Sequence, residues 1–138
     1  QADLLLFDVK HIDSEEHRRL TGVDNGLILD NLCEAARRGV DLIVRVPVIP
    51  GCNDTKRNVQ GITEFVMRLA RLRENIKGIE LIPYHRLGER KYQALGRCYP
   101  LAGIAPPDHA AFENLRQMVT MPDWDDVGSI GKIDTSRE

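Results

Sequence analysis

Little in this sequence announces a chemistry. Only three of its 138 residues are cysteine, Cys33, Cys52 and Cys98. They are too few and too scattered for a disulfide framework, which favours a reducing compartment. No apolar run approaches the roughly 20 residues a membrane span needs. Neither sign of charge is in excess: 19 basic against 21 acidic side chains leave a net charge of −2. No overall field therefore marks out nucleic acid or an anionic membrane as partner. HExxH, GxGxxG and the P-loop are all missing, which excludes zinc-protease and phosphate-cradling devices of those kinds. His11 and His17 are not at the three- or four-residue spacing that sets two ligands on one helix face, so no metal site is expected. There is no initiating methionine, no signal peptide and no internal repeat.

What remains is ordinary globular material. Hydrophobic residues make up 42% and charged residues 29% of the chain, and a domain of this size hides about two thirds of its unfolded surface. Asp3 to Lys10 is short, apolar on both faces and ends in charge, as a buried parallel strand does. Asp13 with Glu16 resembles a capping box for one or two helical turns that Gly22 closes. A better helix follows Asn25, with Ile28, Leu32, Ala35 and Ala36 on one face and Gly39 as its stop; Cys33 is expected there as a small core hydrophobe. Val40 to Ile49 reads as a second strand. The turn from Pro50 delivers Asp54 or Thr55 as the cap of a helix striped by Val59, Ile62, Val66, Leu69 and Ala70. Arg68, Arg71 and Arg73 fall mostly off that stripe, as a solvated face.

Beyond Gly78, Ile79 to His85 is a third strand. Strands and helices alternate, which predicts βαβ units and a parallel sheet. Residues 86–105 interrupt the pattern with a long loop anchored by Tyr92, Leu95 and Tyr99, of a length that is usually functional. Pro106 to Asp108 opens a last helix with Phe112, Leu115 and Val119 inward. The domain is accordingly residues 1–121, and residues 122–138 form a polar, weakly ordered tail.

Side chains alternate along a strand, so polar residues can be assigned to faces. Leu4, Leu6, Asp8 and Lys10 share a face of the first strand; Ile43, Arg45 and Pro47 share one of the second; Leu81, Pro83 and His85 share one of the third. Each strand thus carries a polar group toward its carboxyl end, where parallel sheets and barrels bind ligands. Asp8, Lys10, Arg45 and His85 are the candidate site. A plainer reading stands beside it: Lys10 as the first solvated residue after its strand, Arg45 as a structural partner of Asp8, and His85 as a hydrogen-bonded rim histidine. Neither Cys52 nor Cys98 has a histidine in a pattern that would make it a nucleophile.

The succession of motifs is more specific than any one of them. Phe7-Asp8-Val9-Lys10 is followed by His17-Arg-Arg-Leu-Thr-Gly22-Val-Asp-Asn25 and Ile28-Leu-Asp-Asn-Leu32. Then come Arg45-Val-Pro-Val-Ile-Pro-Gly51-Cys-Asn53-Asp54 and Ile79-Glu-Leu-Ile-Pro-Tyr-His85-Arg-Leu-Gly88-Glu-Arg-Lys91-Tyr92. From about residue 3 to 107, the chain resembles the carboxyl-terminal half of the glycyl-radical-enzyme activating enzymes. The likeness is to the pyruvate formate-lyase-activating type, within the radical S-adenosylmethionine superfamily.

The resemblance implies an α/β fold, the carboxyl-terminal half of a partial (β/α)6 TIM-like barrel with parallel strands inside and helices outside. It implies a [4Fe-4S] cluster and S-adenosylmethionine sharing the open mouth. The reduced cluster would cleave that cofactor to methionine and a 5′-deoxyadenosyl radical, which takes a hydrogen from a glycine of a partner. The partner would be a glycyl radical enzyme of the pyruvate formate-lyase type, and the electron donor a flavodoxin or ferredoxin. The setting would be cytoplasmic and anaerobic. By the same resemblance Lys10 neutralises the methionyl carboxylate, and Asp8 binds ribose or helps hold a cation beside it. Arg45 would lie near the cofactor or the incoming glycine loop, and His85 would contact ribose or carboxylate.

The departures are as informative. The family's Cys-x3-Cys-x2-Cys signature is absent, so no catalytic residue and no metal ligand is assigned here, and the chain by itself is expected to be inactive. Trp124 to Lys132 stands where the family has a last strand and a Gly-Gly. With the start at Gln1, these features read as a piece of a longer protein. Two other function classes fit the residues: an aldolase-like barrel forming a Schiff base at Lys10, and a non-catalytic domain docking a partner through residues 86–105.

Overall fold

The computed structural model describes residues 4–84 and 103–119. Within them the elements are β1 (Leu5–Asp8), α1 (Ser14–Thr21), α2 (Gly26–Arg37), β2 (Leu42–Val48), α3 (Lys56–Leu72), β3 (Ile76–Pro83) and α4 (His109–Met118). The strands form one sheet in the order β1-β2-β3, and both pairings are parallel. Alternation of strand and helix leads to this arrangement, because a parallel neighbour is reached only through a crossover that returns the chain to the same end.

Burial separates the two faces of the sheet. Along β2, Leu42, Val44, Val46 and Val48 are buried, while Ile43, Arg45 and Pro47 are half-buried. The register carries that division across the sheet, with Val44 opposite Phe7 and Ile79, and Val46 opposite Leu81. Against the buried face pack Leu32 and Ala36 of α2, Val59, Ile62 and Val66 of α3, and Phe112 and Leu115 of α4. These are the inward stripes of amphipathic helices. The opposite face contributes nothing to this core among the described residues, and Leu4 and Leu6 on it are about half exposed.

Helix ends are made locally, with differences from the sequence pattern. Asp13 caps α1 by accepting the Glu16 N–H at 3.0 Å, and the Gly22 N–H closes the helix on the Arg18 carbonyl. The expected box is half made, since Glu16 pairs with Arg19 and the Asp13 N–H is donated to His11 Nδ1. Thr55 caps α3; Asp54 instead accepts from Gly51 N–H in the turn before it. Cys33 is exposed rather than a core residue. One position past buried Leu32, it is turned about 100° round the helix from the inward stripe.

The third strand starts at Ile76, ahead of Ile79. Gly78 lies inside it with φ 151°, at a register shift where Leu42 pairs with Ile76 and Ile43 with Gly78. Only glycine meets such a backbone without strain. Residues 86–102 of the expected long loop, and the tail at 122–138, lie outside the described residues. No described helix is long and apolar enough to cross a membrane.

Candidate functional site

Asp8, Arg45 and Glu80 stand in one row across the sheet, Asp8 opposite Arg45 and Arg45 opposite Glu80. The row lies on the face that the core leaves free. Asp8 is exposed, and Arg45 and Glu80 are half-buried. The Val9 N–H bonds to the Arg45 carbonyl at 2.9 Å, so extended pairing runs past Asp8. Lys10, two residues beyond Asp8 and exposed, therefore follows Asp8 on its side of the sheet. Three of the four candidate residues come together; His85 lies outside the described residues.

Glu80 is the member of this row that sequence reasoning missed. Alternation had set Leu81 and Pro83 on the site face, but they pair with Val46 and Val48 on the helix-covered side. The register is fixed where Gly78 meets Ile43, and a one-residue slip moves every side chain to the other face. A signal for Glu80 did exist: it is a charge between Ile79 and Leu81 in an otherwise apolar strand.

Opposite charges sit side by side here without pairing. No ion pair among the described residues involves Asp8, Lys10, Arg45 or Glu80. The structural Asp8–Arg45 pair of the plainer reading is not formed. Arg45 Nε is buried and has no hydrogen-bond partner. A buried guanidinium N–H is costly until something accepts from it. Lys10, being exposed, lacks the desolvated surroundings that activate a Schiff-base lysine.

The main chain carrying Lys10 is held by three buried asparagines. Asn53 and Asn58 both donate to the Lys10 carbonyl, at 2.9 and 3.2 Å. Asn25 donates to the carbonyls of His11 and Ile12, at 3.2 and 2.7 Å. Asn25 and Asn53 belong to the motifs above, but nothing in the residue pattern gives any of the three this role. Asparagine after Pro-Gly is a turn residue by default, and its partners are distant in sequence.

His11 and His17 are buried at the same junction. His17 Nδ1 lies 2.7 Å from the Val23 carbonyl, which only accepts, so that nitrogen carries the proton. His11 Nδ1 accepts the Asp13 N–H at 3.0 Å and must therefore be unprotonated. Burial pushes the His11 pKa below its ordinary 6.5; Glu16 and Asp13 pull upward, His17 and Arg19 downward, without reversing this. With the folded pKa depressed, the unfolded chain binds the proton more readily. The His11 contribution to stability is thus complete above about pH 6.5 and is lost as pH falls through the folded pKa. Thermal midpoints measured from pH 8 to 5 are expected to drop below pH 6.5. His11→Asn, which can accept the same N–H as an Asx turn, is expected to flatten that part of the curve.

The two described cysteines are quiet. Burial, then Asp54, raises the Cys52 thiol pKa, and burial, then Asp30, raises that of Cys33. Neither is poised as a thiolate. Among the described residues no three His, Cys, Asp or Glu side chains are grouped to hold a metal ion.

No family model matches the chain. It is 40% identical over 123 residues to the choline trimethylamine-lyase activating enzyme of Oleidesulfovibrio alaskensis, covering 89% of this chain and 39% of that protein. It is 41% identical over 119 residues to the (2S)-3-sulfopropanediol sulfolyase activating enzyme of Bilophila wadsworthia, covering 85% and 37%. With the 4-hydroxyphenylacetate decarboxylase activating enzyme of Clostridioides difficile it shares 37% identity over 118 residues, covering 84% and 36%. Among solved structures, a domain of pyruvate-formate lyase-activating enzyme from Bacteroides vulgatus matches with a TM-score of 0.65 at 28% identity. That match covers 92% of this chain and 64% of the other, and agrees with the partial-barrel α/β fold expected from the sequence. The chain belongs, by sequence and by fold, to the glycyl-radical-enzyme activating enzymes, and it spans 36% to 39% of the length of these three relatives.

Proposed function

We propose that the protein carrying this sequence installs a glycyl radical in a partner enzyme, with S-adenosylmethionine bound on the free face of the sheet. The observation that carries the reading is the unpaired set Asp8, Lys10 and Arg45 at one end of that face, in a chain of this family. The donor set fits the ligand. S-adenosylmethionine presents a carboxylate, an ammonium, a sulfonium and a ribose diol. Lys10 offers three N–H donors to a carboxylate, and the Arg45 Nε–H is a buried donor without an acceptor. Asp8 accepts from the ribose hydroxyls or the ammonium. Two cations and two anions, with Glu80 counted, suit a ligand that carries both signs.

These residues bind and orient. Lys10 holds the carboxylate end and Asp8 the ribose, and Arg45 stands near the incoming glycine; a ribose or carboxylate contact from His85 rests on the family resemblance alone. The ligands of the iron–sulfur cluster are assigned to another part of the protein, since Cys33, Cys52 and Cys98 do not form the family's Cys-x3-Cys-x2-Cys signature. When bound beside a reduced cluster, S-adenosylmethionine supplies the radical that removes a hydrogen atom from glycine.

The partner is a glycyl radical enzyme, of the pyruvate formate-lyase type, with a flavodoxin or ferredoxin as electron donor, in the cytoplasm of an anaerobically growing cell. The test is direct. The full-length protein is incubated anaerobically with S-adenosylmethionine, a reductant and the glycyl radical enzyme of the same organism. A glycyl doublet in the electron paramagnetic resonance spectrum, with equimolar 5′-deoxyadenosine, is expected. Neither signal under reducing conditions overturns the reading.

A further inference from the structure

We propose that Asn53 and Asn58 are positioning residues that hold the Lys10 main chain so that its ammonium meets the carboxylate of the ligand. This rests on the reading that S-adenosylmethionine occupies the free face of the sheet. Both asparagines are buried, at 0% and 1% exposure. Each amide uses both of its N–H groups. Asn53 Nδ2 donates to the carbonyls of Lys10 at 2.9 Å and Pro47 at 2.6 Å. Asn58 Nδ2 donates to the carbonyls of Lys10 at 3.2 Å and Asn53 at 3.0 Å. Their oxygens accept in turn, Asn53 Oδ1 from the Ile49 N–H at 2.7 Å and Asn58 Oδ1 from the Ile12 N–H at 2.8 Å.

The arrangement does what the strand ladder no longer does. β1 ends at Asp8, so Lys10 stands past the regular sheet at a point where the chain turns toward α1. The asparagines tie this point to Pro47, two residues beyond Arg45, and to the start of α3. They thereby fix Lys10 relative to Arg45. Asn25 holds the next two carbonyls, so those of Lys10, His11 and Ile12 are each taken by a buried amide. Ile12 is further seated against α3 at Gly61, where a Cβ would stand 2.9 Å from Ile12 Cγ2.

Lysine is a flexible stem, and the position of its ammonium is only as good as the backbone beneath it. Displacement of a binding group by about 1 Å can cost on the order of 100-fold. A segment this thoroughly held, directly under the residue assigned to the carboxylate, is a supporting shell of the kind a precise site requires.

The test is a double-mutant cycle on S-adenosylmethionine binding, measured by anaerobic calorimetry in the full-length protein. Lys10→Met and Asn58→Ser are each expected to weaken binding at least about tenfold. In the Lys10→Met background, Asn58→Ser is expected to change affinity less than about twofold, because its route of action is gone. Independent, multiplying losses overturn the proposal while leaving the role of Lys10 intact. Unchanged binding in Lys10→Met overturns the functional reading, and this proposal with it. A second measurement needs no variant. In the unaltered protein the Ile12 amide is expected to resist hydrogen exchange equally with and without S-adenosylmethionine. An Ile12 amide that exchanges freely until the ligand is added overturns the proposal.

Discussion

Asn53→Leu, a change to a side chain of similar size without polar atoms, is expected to destabilise the protein by about 4 kcal/mol. The figure follows from what is left behind. The Ile49 N–H and the Pro47 carbonyl lose the amide that serves them, and each buried group abandoned in this way costs about 1–3 kcal/mol. The Lys10 carbonyl keeps Asn58, which limits the damage there. Against a total stability of about 5–15 kcal/mol the loss is large. It would appear as a lower urea midpoint with an unchanged slope. Asn31→Leu, at an exposed position on α2, serves as the control and is expected to stay within about 0.5 kcal/mol. Equal effects of the two substitutions would show that the buried amide network adds nothing.

Lys10→Met is expected to behave in the opposite way. The side chain is exposed and unpaired, so the thermal midpoint should hardly move. Binding of S-adenosylmethionine should weaken about 10- to 100-fold, the range for one charge-assisted hydrogen bond of about 1.5–3 kcal/mol. Radical formation at limiting S-adenosylmethionine should fall in parallel and recover in part at high concentration. Lys10→Arg keeps the charge on a longer, planar group and is expected to fall between. A drop in stability with unchanged affinity would make Lys10 a structural residue. The two substitutions together separate what holds the segment from what the segment presents.

Much of this was legible in the chain itself. The inward stripes of Leu32 and Ala36, of Val59, Ile62 and Val66, and of Phe112 and Leu115 follow from helical spacing, and all are buried. Alternation groups the residues within each strand, and the pairing of Asp8 with Arg45 sets Asp8, Lys10 and Arg45 on one side; the succession of motifs, separately, points to the family. Two residues depart from the pattern, for different reasons. Cys33 follows buried Leu32 in the helix, and that single step turns it off the inward stripe and leaves it exposed. The side of the sheet on which Glu80 stands depends on pairing with another strand.

The residues alone carried the order of elements, the parallel sheet, the cap at Asp13 and the family, and narrowed the cap of α3 to Asp54 or Thr55, of which Thr55 makes it. Each is settled within a few residues or by motif order, where local sterics and hydrogen bonds act. The register of β3, the charged row ending in Glu80 and the asparagines beneath Lys10 follow from the fold. The hydrogen bonds from Asn53 and Asn58 to Lys10 join residues 43 and 48 positions apart. No local periodicity encodes such contacts; they exist because packing brings the end of β1, the turn after β2 and the start of α3 to one place, where buried amides must find partners.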